Sequence, residues 1–334
     1  MRSPNQLLWA IHHLVVDGVS WRILLEDFQT LDQQLQQREI QSEPLRLPAK
    51  TTAFKNWAER LQTYAESDEL QAELDIWLSL QQHPSPLPMD NLEGENTVAA
   101  IATVTTSLDA AETQALLQDI PAVYRTQIND VLLTTLAQAF AGWTGGFTLR
   151  LDLEGHGRED LFDEIDLSRT VGWFTSLFPV WLNLNPFTDW GEAIQSVKQQ
   201  LRQIPRQGIG LGCCAISVQR VRHCDRSLRL VSFNYLGQID QTLPETTPQT
   251  ALRLAPEGLS ATQTQVVQGS QNPRPYLLDV SGLILGGQLQ MSWAYSAAIH
   301  RQDTIEQLAQ DFLAALRSLI AHCQSSQPSA YLPL

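Results

Sequence analysis

Two adjacent histidines near the start of the chain are the first residues whose type and spacing suggest chemistry. His12 and His13 stand in a nearly continuous apolar run, residues 6–16, and Asp17 and Gly18 follow directly. An imidazole titrates near neutral pH, so it can accept and return a proton. Burying imidazole costs desolvation unless the ring is hydrogen-bonded. The pattern therefore fits either a general acid-base histidine or a hydrogen-bonded core histidine beside a turn aspartate.

A carboxylate at the end of a predicted strand is the second candidate. Residues 147–153 read as a strand, and Glu154, Arg158 and Glu159 follow it within the sequence EGHGRE. A carboxyl group in a cleft can have its pKa raised by burial, so it can donate or accept a proton near neutrality. The alternative is a turn in which these three charged residues form salt bridges.

The histidines need elements that hold them. The apolar run predicts a strand covered on both faces. Because adjacent strand residues point to opposite faces, only one of the two histidines can face a given cleft. Ser20 is predicted to cap the helix that follows, and Asp17 to orient a ring or to pair with an arginine from elsewhere in the chain.

Periodicity and turn residues outline the rest of the chain. The predicted strands are 100–106, 147–153, 177–184, 228–236, 276–285 and 288–295, and the predicted helices are 54–64, 70–78, 129–143, 190–203 and 304–322. A capping box is predicted at Asp109 and Glu112, and Gly145 is predicted to close the central helix. Strands and helices intermix without a βαβ rhythm, which predicts an α/β layered fold with a mixed sheet. The Pro-rich segment 81–96 divides the chain into lobes 1–90 and 91–334.

Composition limits the function classes. The chain has 22 basic and 36 acidic residues and a net charge of −14, which argues against a nucleic-acid or an anionic membrane partner. Its four cysteines form no disulfide framework or metal-binding spacing, which fits a reducing cytoplasm. The apolar run near the start is interrupted by two histidines and lacks a small-residue cleavage site, so we expect it to be neither a signal peptide nor a membrane span. The sequence also lacks a phosphate-binding glycine loop, a metal cluster and a dinucleotide fingerprint.

Four segments resemble a known family. HHLVVDG at residues 12–18 resembles the HHxxxDG motif shared by the condensation and epimerization domains of nonribosomal peptide synthetases, which have the chloramphenicol-acetyltransferase-like fold. EGHGRE at 154–159, RTVGWFT at 169–175 and FNYLGQ at 233–238 resemble motifs of the epimerization domains, in the family's order. The similarity runs from residue 7 to the last helix. The resemblance implies a two-lobe α/β fold.

The resemblance also implies roles for individual residues. His13 corresponds to the catalytic histidine and Glu154 to the acid-base glutamate. Supporting roles fall to His12, Asp17, Gly18 and Arg158, and a substrate-tunnel lining to Trp173, Ser176, Asn234 and Tyr235. The implied reaction is epimerization at the α-carbon of an aminoacyl or peptidyl thioester. The implied partners are a peptidyl carrier protein, which supplies the 4′-phosphopantetheine arm, and other synthetase domains. No cofactor of its own is expected.

Two departures from the family keep alternatives open. The family's histidine motif is preceded by further strands and helices, so we expect an incomplete N-terminal lobe here, completed by another polypeptide or lost in a fragment. The sequence PRQGIGLGCC at 205–214 matches the family's loop only at its glycines. The alternatives to epimerization are an amide-forming condensation domain that uses His13 and a catalytically inactive fragment.

Overall fold

The computed structural model describes residues 8–38, 44–79, 86–185, 189–217, 230–238 and 269–325. Its helices, in chain order, are α1 (Gly18–Arg38), α2 (Phe54–Tyr64), α3 (Asp68–Ser79), α4 (Ala110–Tyr124), α5 (Ile128–Thr144), α6 (Trp190–Arg202), α7 (Ile209–Ser217) and α8 (Gln302–Ser325). Its strands are β1 (Ile101–Ser107), β2 (Thr148–Gly155), β3 (Ser176–Asn183), β4 (Val231–Gln238), β5 (Leu278–Leu285) and β6 (Gln288–Ser296). Three short 3-10 turns are His13–Val15, Val98–Ala100 and Pro205–Gly208.

The described strands form one mixed sheet. Its order is β1-β6-β5-β4-β2-β3. The β2–β4 and β4–β5 pairs are parallel, and the other pairs are antiparallel. The predicted α/β class with a mixed sheet is therefore confirmed, and every strand predicted from residue 100 onward is present with ends shifted by a few residues.

The two faces of the sheet differ because apolar and polar residues alternate along its strands. The core face carries Leu151, Phe233 and Val280, all buried in one cluster with side chains of α5 and α8. The opposite face carries polar groups at the intervening positions. Leu153 pairs with Phe233, so Glu154 and Asn234 lie side by side beyond them. The predicted acid-base residue Glu154 therefore lies on this polar face.

The predicted helix boundaries are confirmed where local capping determines them. Asp109 accepts a hydrogen bond from the backbone of Glu112, whose carboxylate binds the backbone of Asp109 in return. Gly145 ends α5 with φ +72°, a left-handed conformation that glycine adopts without strain. These caps depend on neighbours in sequence, and so the sequence alone identifies them.

The predicted strand at residues 6–16 is wrong over the part that the structure describes. Residues 8–12 have no regular secondary structure, and His13–Val15 forms a 3-10 turn. Leu14 and Val15 are 63% and 58% exposed. A strand needs a neighbour for its backbone N–H and C=O groups. None of the six described strands pairs with this segment, so its apolar pattern has no described sheet to join.

The second correction concerns the start of α1. The side chain of Asp17 accepts a hydrogen bond from the backbone N–H of Ser20 at 2.7 Å. Asp17 is therefore the N-cap, and Ser20 lies in the first turn of the helix with a fully buried side chain. An aspartate three residues before a buried backbone N–H is the favoured arrangement, which the sequence DGVS contains.

The segment 205–214 is a turn followed by α7. Arg206, Gln207 and Gly208 have positive φ angles in succession. A side chain at Gly208 would collide with the Phe178 ring, and one at Gly210 would collide with the Glu73 carboxylate. Close packing and a positive φ therefore favour glycine at 208, whereas a side chain at 210 would require the Glu73 carboxylate to move.

The proposed division at residue 90 stays a prediction. Residues 81–85 of the expected linker lie outside the described part of the chain. Tyr64, Leu70 and Trp77, from α2 and α3, belong to the same hydrophobic core as the sheet. Residues before and after the linker thus contribute side chains to one core.

Candidate active site

The two histidines have different surroundings. His12 caps the 3-10 turn, because its Nδ1 accepts a hydrogen bond from the backbone N–H of Leu14 at 3.1 Å. The ring of His13 lies against the indole of Trp173, with centroids 5.5 Å apart and planes inclined by 62°. His13 is exposed. The prediction that only one histidine faces a cleft assumed a strand; because the two rings belong to a 3-10 turn, the strand argument does not apply, and the prediction stays untested.

A buried ion pair joins the histidine motif to the segment after β2. Asp17 is 3% exposed, and one of its carboxylate oxygens lies 3.2 Å from Nη2 of Arg158. Its other oxygen accepts a hydrogen bond from the backbone N–H of Phe174 at 3.2 Å. The expectation that Asp17 pairs with an arginine from elsewhere in the chain is confirmed, and the arginine comes from the sequence EGHGRE.

Arg158 holds several backbone groups together. Its Nη1 donates to the carbonyl oxygens of Leu167 at 2.9 Å and Thr170 at 2.7 Å. Its guanidinium lies 3.9 Å from the centroid of the Phe174 ring. Burial lowers the pKa of Arg158 from its ordinary value, and the Asp17 carboxylate opposes this effect. The guanidinium is thus a buried cation whose charge Asp17 compensates.

Ser20 is a part of this network that sequence reasoning missed. Its hydroxyl donates to the carbonyl oxygen of Gly172 at 2.8 Å and lies 3.0 Å from both the Gly172 backbone N–H and Nη2 of Arg158. In the sequence, the position of Ser20 three residues after Asp17 is the only indication of a role in this network. The alternative of a salt-bridged turn is not observed, since Arg158 binds Asp17 and Glu159 approaches His156 at 3.6 Å.

Glu154 lies next to the last residue of β2 on the polar face of the sheet. Its Oε2 accepts a hydrogen bond of 2.5 Å from Nδ2 of Asn234, on the adjacent strand β4. Burial raises the pKa of Glu154, a positive charge on His13 lowers it, and the Asp279 carboxylate raises it further; the Asn234 hydrogen bond lowers it. The side chain remains accessible to solvent. Glu154 is therefore a carboxylate that is partly desolvated by protein atoms and still reached by water.

Two features relate His13 to Glu154. A charge on His13 changes the pKa of Glu154, although the two residues come from distant parts of the sequence. The Asp17–Arg158 pair links the same two segments through buried groups. The structure thus joins the segments that carry His13 and Glu154, and the proton-transfer roles of the two residues stay a prediction.

The predicted tunnel residues lie in different environments. Ser176 starts β3 opposite Gly155, and its Oγ is buried without a hydrogen-bond partner among the described residues. A Cβ at Gly155 would come within 2.7 Å of this oxygen, so a larger residue beside Glu154 would require the Ser176 side chain to move. Tyr235 follows Asn234 on β4, and it packs against the hydrophobic core. Burial raises the pKa of Tyr235 to about 12. A substrate contact of these side chains stays a prediction.

Gly18 begins α1 at an exposed position. A Cβ added to it would meet no atom within 4 Å. No described residue accepts a hydrogen bond from the backbone N–H of Gly18 or Val19. These N–H groups lie at the positive end of the helix dipole, where a developing negative charge is stabilised.

The described ranges contain neither a metal cluster nor a membrane-spanning helix. No group of three or more histidine, cysteine, aspartate or glutamate side chains there could hold a metal ion. No described helix is both long and apolar enough to cross a bilayer.

Comparison with protein families and curated proteins gives extended matches. The family described as Condensation domain matches residues 3–333. One component of the linear gramicidin synthase of Brevibacillus parabrevis is 47% identical over 337 residues, which cover 99% of this chain and 4% of that protein. Tyrocidine synthase 1 of the same organism is 36% identical over 329 residues, which cover 96% of this chain and 29% of that protein. The chain spans less than a third of either relative.

Solved structures agree with these matches. The crystal structure of the epimerization domain from the third module of tyrocidine synthetase B is 35% identical, with a TM-score of 0.79 over 94% of this chain and 68% of that one. The condensation domain of the Monacolin K polyketide synthase MokA has a TM-score of 0.63 at 13% identity, covering 93% and 68% of the two chains. That second likeness concerns the fold alone. The chloramphenicol-acetyltransferase-like fold class expected from the motifs is confirmed.

Proposed function

Because the chain belongs to the condensation-domain family, we propose that it is an epimerization domain that inverts the α-carbon of an aminoacyl or peptidyl thioester held on a carrier protein. The observation that carries the proposal is the buried Asp17–Arg158 pair, which joins the segment that follows His13 to the segment that follows Glu154. The epimerization domain of tyrocidine synthetase B supports it at 35% identity. The motifs at 154–159, 169–175 and 233–238 support it as well.

The chemistry needs two proton-transfer groups on opposite sides of one carbon. A thioester acidifies its α-carbon, so a base can remove the α-proton and leave an enolate. A second group then returns a proton to the opposite face, which inverts the configuration. His13 and Glu154 fulfil these two roles, one starting as the base and the other as the acid, and they exchange roles for the reverse reaction.

The enolate oxygen requires hydrogen-bond donors during the reaction. The backbone N–H groups of Gly18 and Val19 are available at the start of α1. Preorganised donors of this kind contribute a large part of the rate enhancement in many enzymes. The chain supplies them from the same helix start that carries the buried Asp17–Arg158 pair.

The proposed substrate arrives on a partner. A carrier protein would present the acyl group on its 4′-phosphopantetheine arm, and the thioester belongs to that arm. The chain's own groups orient the acyl carbon and move the proton. The neighbouring synthetase domains and the cytoplasmic location expected from the sequence are part of the same proposal.

Condensation is the second candidate, because the matching family is named for it and HHLVVDG at residues 12–18 resembles the motif that condensation and epimerization domains share. In that reaction His13 would assist attack of an amine on a second carrier-bound thioester. Glu154 distinguishes the two functions, since amide formation requires no proton donor on the opposite face of the α-carbon.

The test uses the purified chain and a carrier protein loaded with an L-aminoacyl thioester in deuterated water. We expect α-deuterium and the D enantiomer from the native chain, and no D enantiomer from Glu154→Gln. The matched control is Glu164→Gln, an exposed glutamate paired with Arg60, which should retain the native rate. Amide formation between two loaded carriers that survives Glu154→Gln, without deuterium uptake by the native chain, would overturn the proposal in favour of condensation.

A further inference from the structure

Trp173 contacts His13 although its neighbours in sequence are buried. Gly172 and Phe174 are buried, whereas Trp173 is 44% exposed. Its indole projects from the surface and meets the imidazole of His13 in an inclined, edge-type arrangement. Tilted aromatic pairs of this kind are favourable beyond the area that they bury.

The backbone on both sides of Trp173 is fixed to the start of α1. The N–H and C=O of Gly172 both bind the Ser20 hydroxyl, at 3.0 and 2.8 Å. The N–H of Phe174 binds the Asp17 carboxylate at 3.2 Å. Ser20 and Asp17 are both buried. The indole is therefore held by the same helix start that follows His13 in the chain.

His13 itself has little local support. It lies in a 3-10 turn that contains no buried residue. No described residue makes a hydrogen bond to its imidazole, and the described ring contact is with Trp173. An exposed histidine without hydrogen bonds samples several rotamers. Proton transfer, however, needs the ring nitrogen at a fixed place relative to the α-carbon.

We propose that Trp173 is a positioning residue that holds the imidazole of His13 in the orientation needed for proton transfer. The inference rests on the proposed function and assigns Trp173 a task distinct from lining a substrate channel. The indole acts through His13 and does not touch the reacting atoms. Because the backbone around Trp173 is fixed by hydrogen bonds, the indole can restrict the rotamers of His13.

The experiment compares Trp173→Leu and Trp173→Phe with the native chain. Phe147→Leu is the matched control, because Phe147 is also aromatic and 51% exposed but precedes β2, whose other end carries Glu154. We expect Trp173→Leu to lower kcat for α-deuterium exchange roughly three- to tenfold with little change in KM. Trp173→Phe should restore most of the rate, and Phe147→Leu should behave as the native chain does.

A spectroscopic measurement makes the test independent of activity. In the chain labelled at histidine, the ring protons of His13 should move in the NMR spectrum when the indole is removed, and those of the other histidines should not. A native kcat in Trp173→Leu, or an unchanged His13 resonance, would overturn the inference. A rise in KM alone would overturn it too, since it would assign Trp173 to substrate binding.

If the native chain exchanges no deuterium, the proposed function fails, while the His13 resonance still decides whether the contact with Trp173 exists. If Trp173→Leu does not fold, Trp173→Gln, which also removes the indole at this exposed position, takes its place with the same expected and contradicting results.

Discussion

Arg158→Met isolates the buried ion pair that joins the two halves of the site. Methionine keeps the apolar stem near Phe174 and removes the guanidinium. The Asp17 carboxylate, 3% exposed, would then lose its counter-ion, and the carbonyls of Leu167 and Thr170 would lose their donors. Removing one partner of a buried pair costs about 3–5 kcal/mol. A loss of that size is a large part of the ~5–15 kcal/mol that stabilises a typical domain.

The assay is urea unfolding followed by circular dichroism. Asp17→Asn should also be destabilising, and the double variant should lose less than the sum of the single losses by at least about 1.5 kcal/mol. Arg60→Met is the matched control, because Arg60 also lies over an aromatic ring and pairs with a glutamate, but at the surface. It should cost less than about 1 kcal/mol. A loss below about 1 kcal/mol in Arg158→Met, or additivity in the double variant, would refute the reasoning.

Three further changes test other parts of the structure. Gly157→Ala should destabilise the chain by at least about 2 kcal/mol in the same unfolding assay, because φ is +65° and a Cβ would lie 1.7 Å from a carbonyl oxygen. Gly142→Ala, in open space within α5, should instead stabilise the chain by about 0.5–1 kcal/mol. Equal changes in the free energy of unfolding for the two variants would contradict the packing described around Gly157. Burial raises the pKa of Glu154, and the Asp279 charge raises it further. Asp279→Asn should therefore move the limb of the pH–rate profile that belongs to Glu154 to lower pH. A shift of this limb to higher pH would contradict the prediction. Burial lowers the pKa of His300, whose ring nitrogens have no hydrogen-bond partner among the described residues. The unfolded chain therefore takes up the proton first, and the stability of the folded chain should fall as the pH drops below about 6.5. Thermal unfolding of His300→Phe should show a smaller loss of stability in acid, and a pH dependence identical to that of the native chain would contradict this role of the ring.

The sequence predicts the elements whose causes are local. The capping box at Asp109 and the glycine that ends α5 depend on residues within one turn, and both are observed. The strands from residue 100 onward have alternating patterns and partners within the described chain. The run at 6–16 has an equally apolar pattern but no partner among the described strands, and pattern alone cannot reveal whether a partner exists.

In the candidate site, too, the sequence identifies some residues, while the contacts between them depend on the fold. His13 and Glu154 could be selected from their residue types and motifs, because the chemistry requires an imidazole and a carboxyl group. That Asp17 binds Arg158 specifically, and that Ser20 binds Gly172, follows from contacts between residues more than 130 positions apart. Such contacts depend on the whole fold. The placement of Trp173 against His13 likewise needs the structure, since an aromatic residue in an apolar segment is more often part of the core.

The most direct test of two-sided proton transfer starts from each enantiomer in turn. L- and D-aminoacyl carrier proteins are incubated in deuterated water with the native chain, with His13→Ala and with Glu154→Gln, and α-deuterium and configuration are measured. We expect the native chain to exchange and invert both enantiomers. Each variant should exchange only the enantiomer whose α-proton faces the remaining group, without inversion, and the two variants should differ in which enantiomer that is. If both variants exchange the same enantiomer, or if either still inverts the configuration, His13 and Glu154 do not act from opposite faces of the carbon.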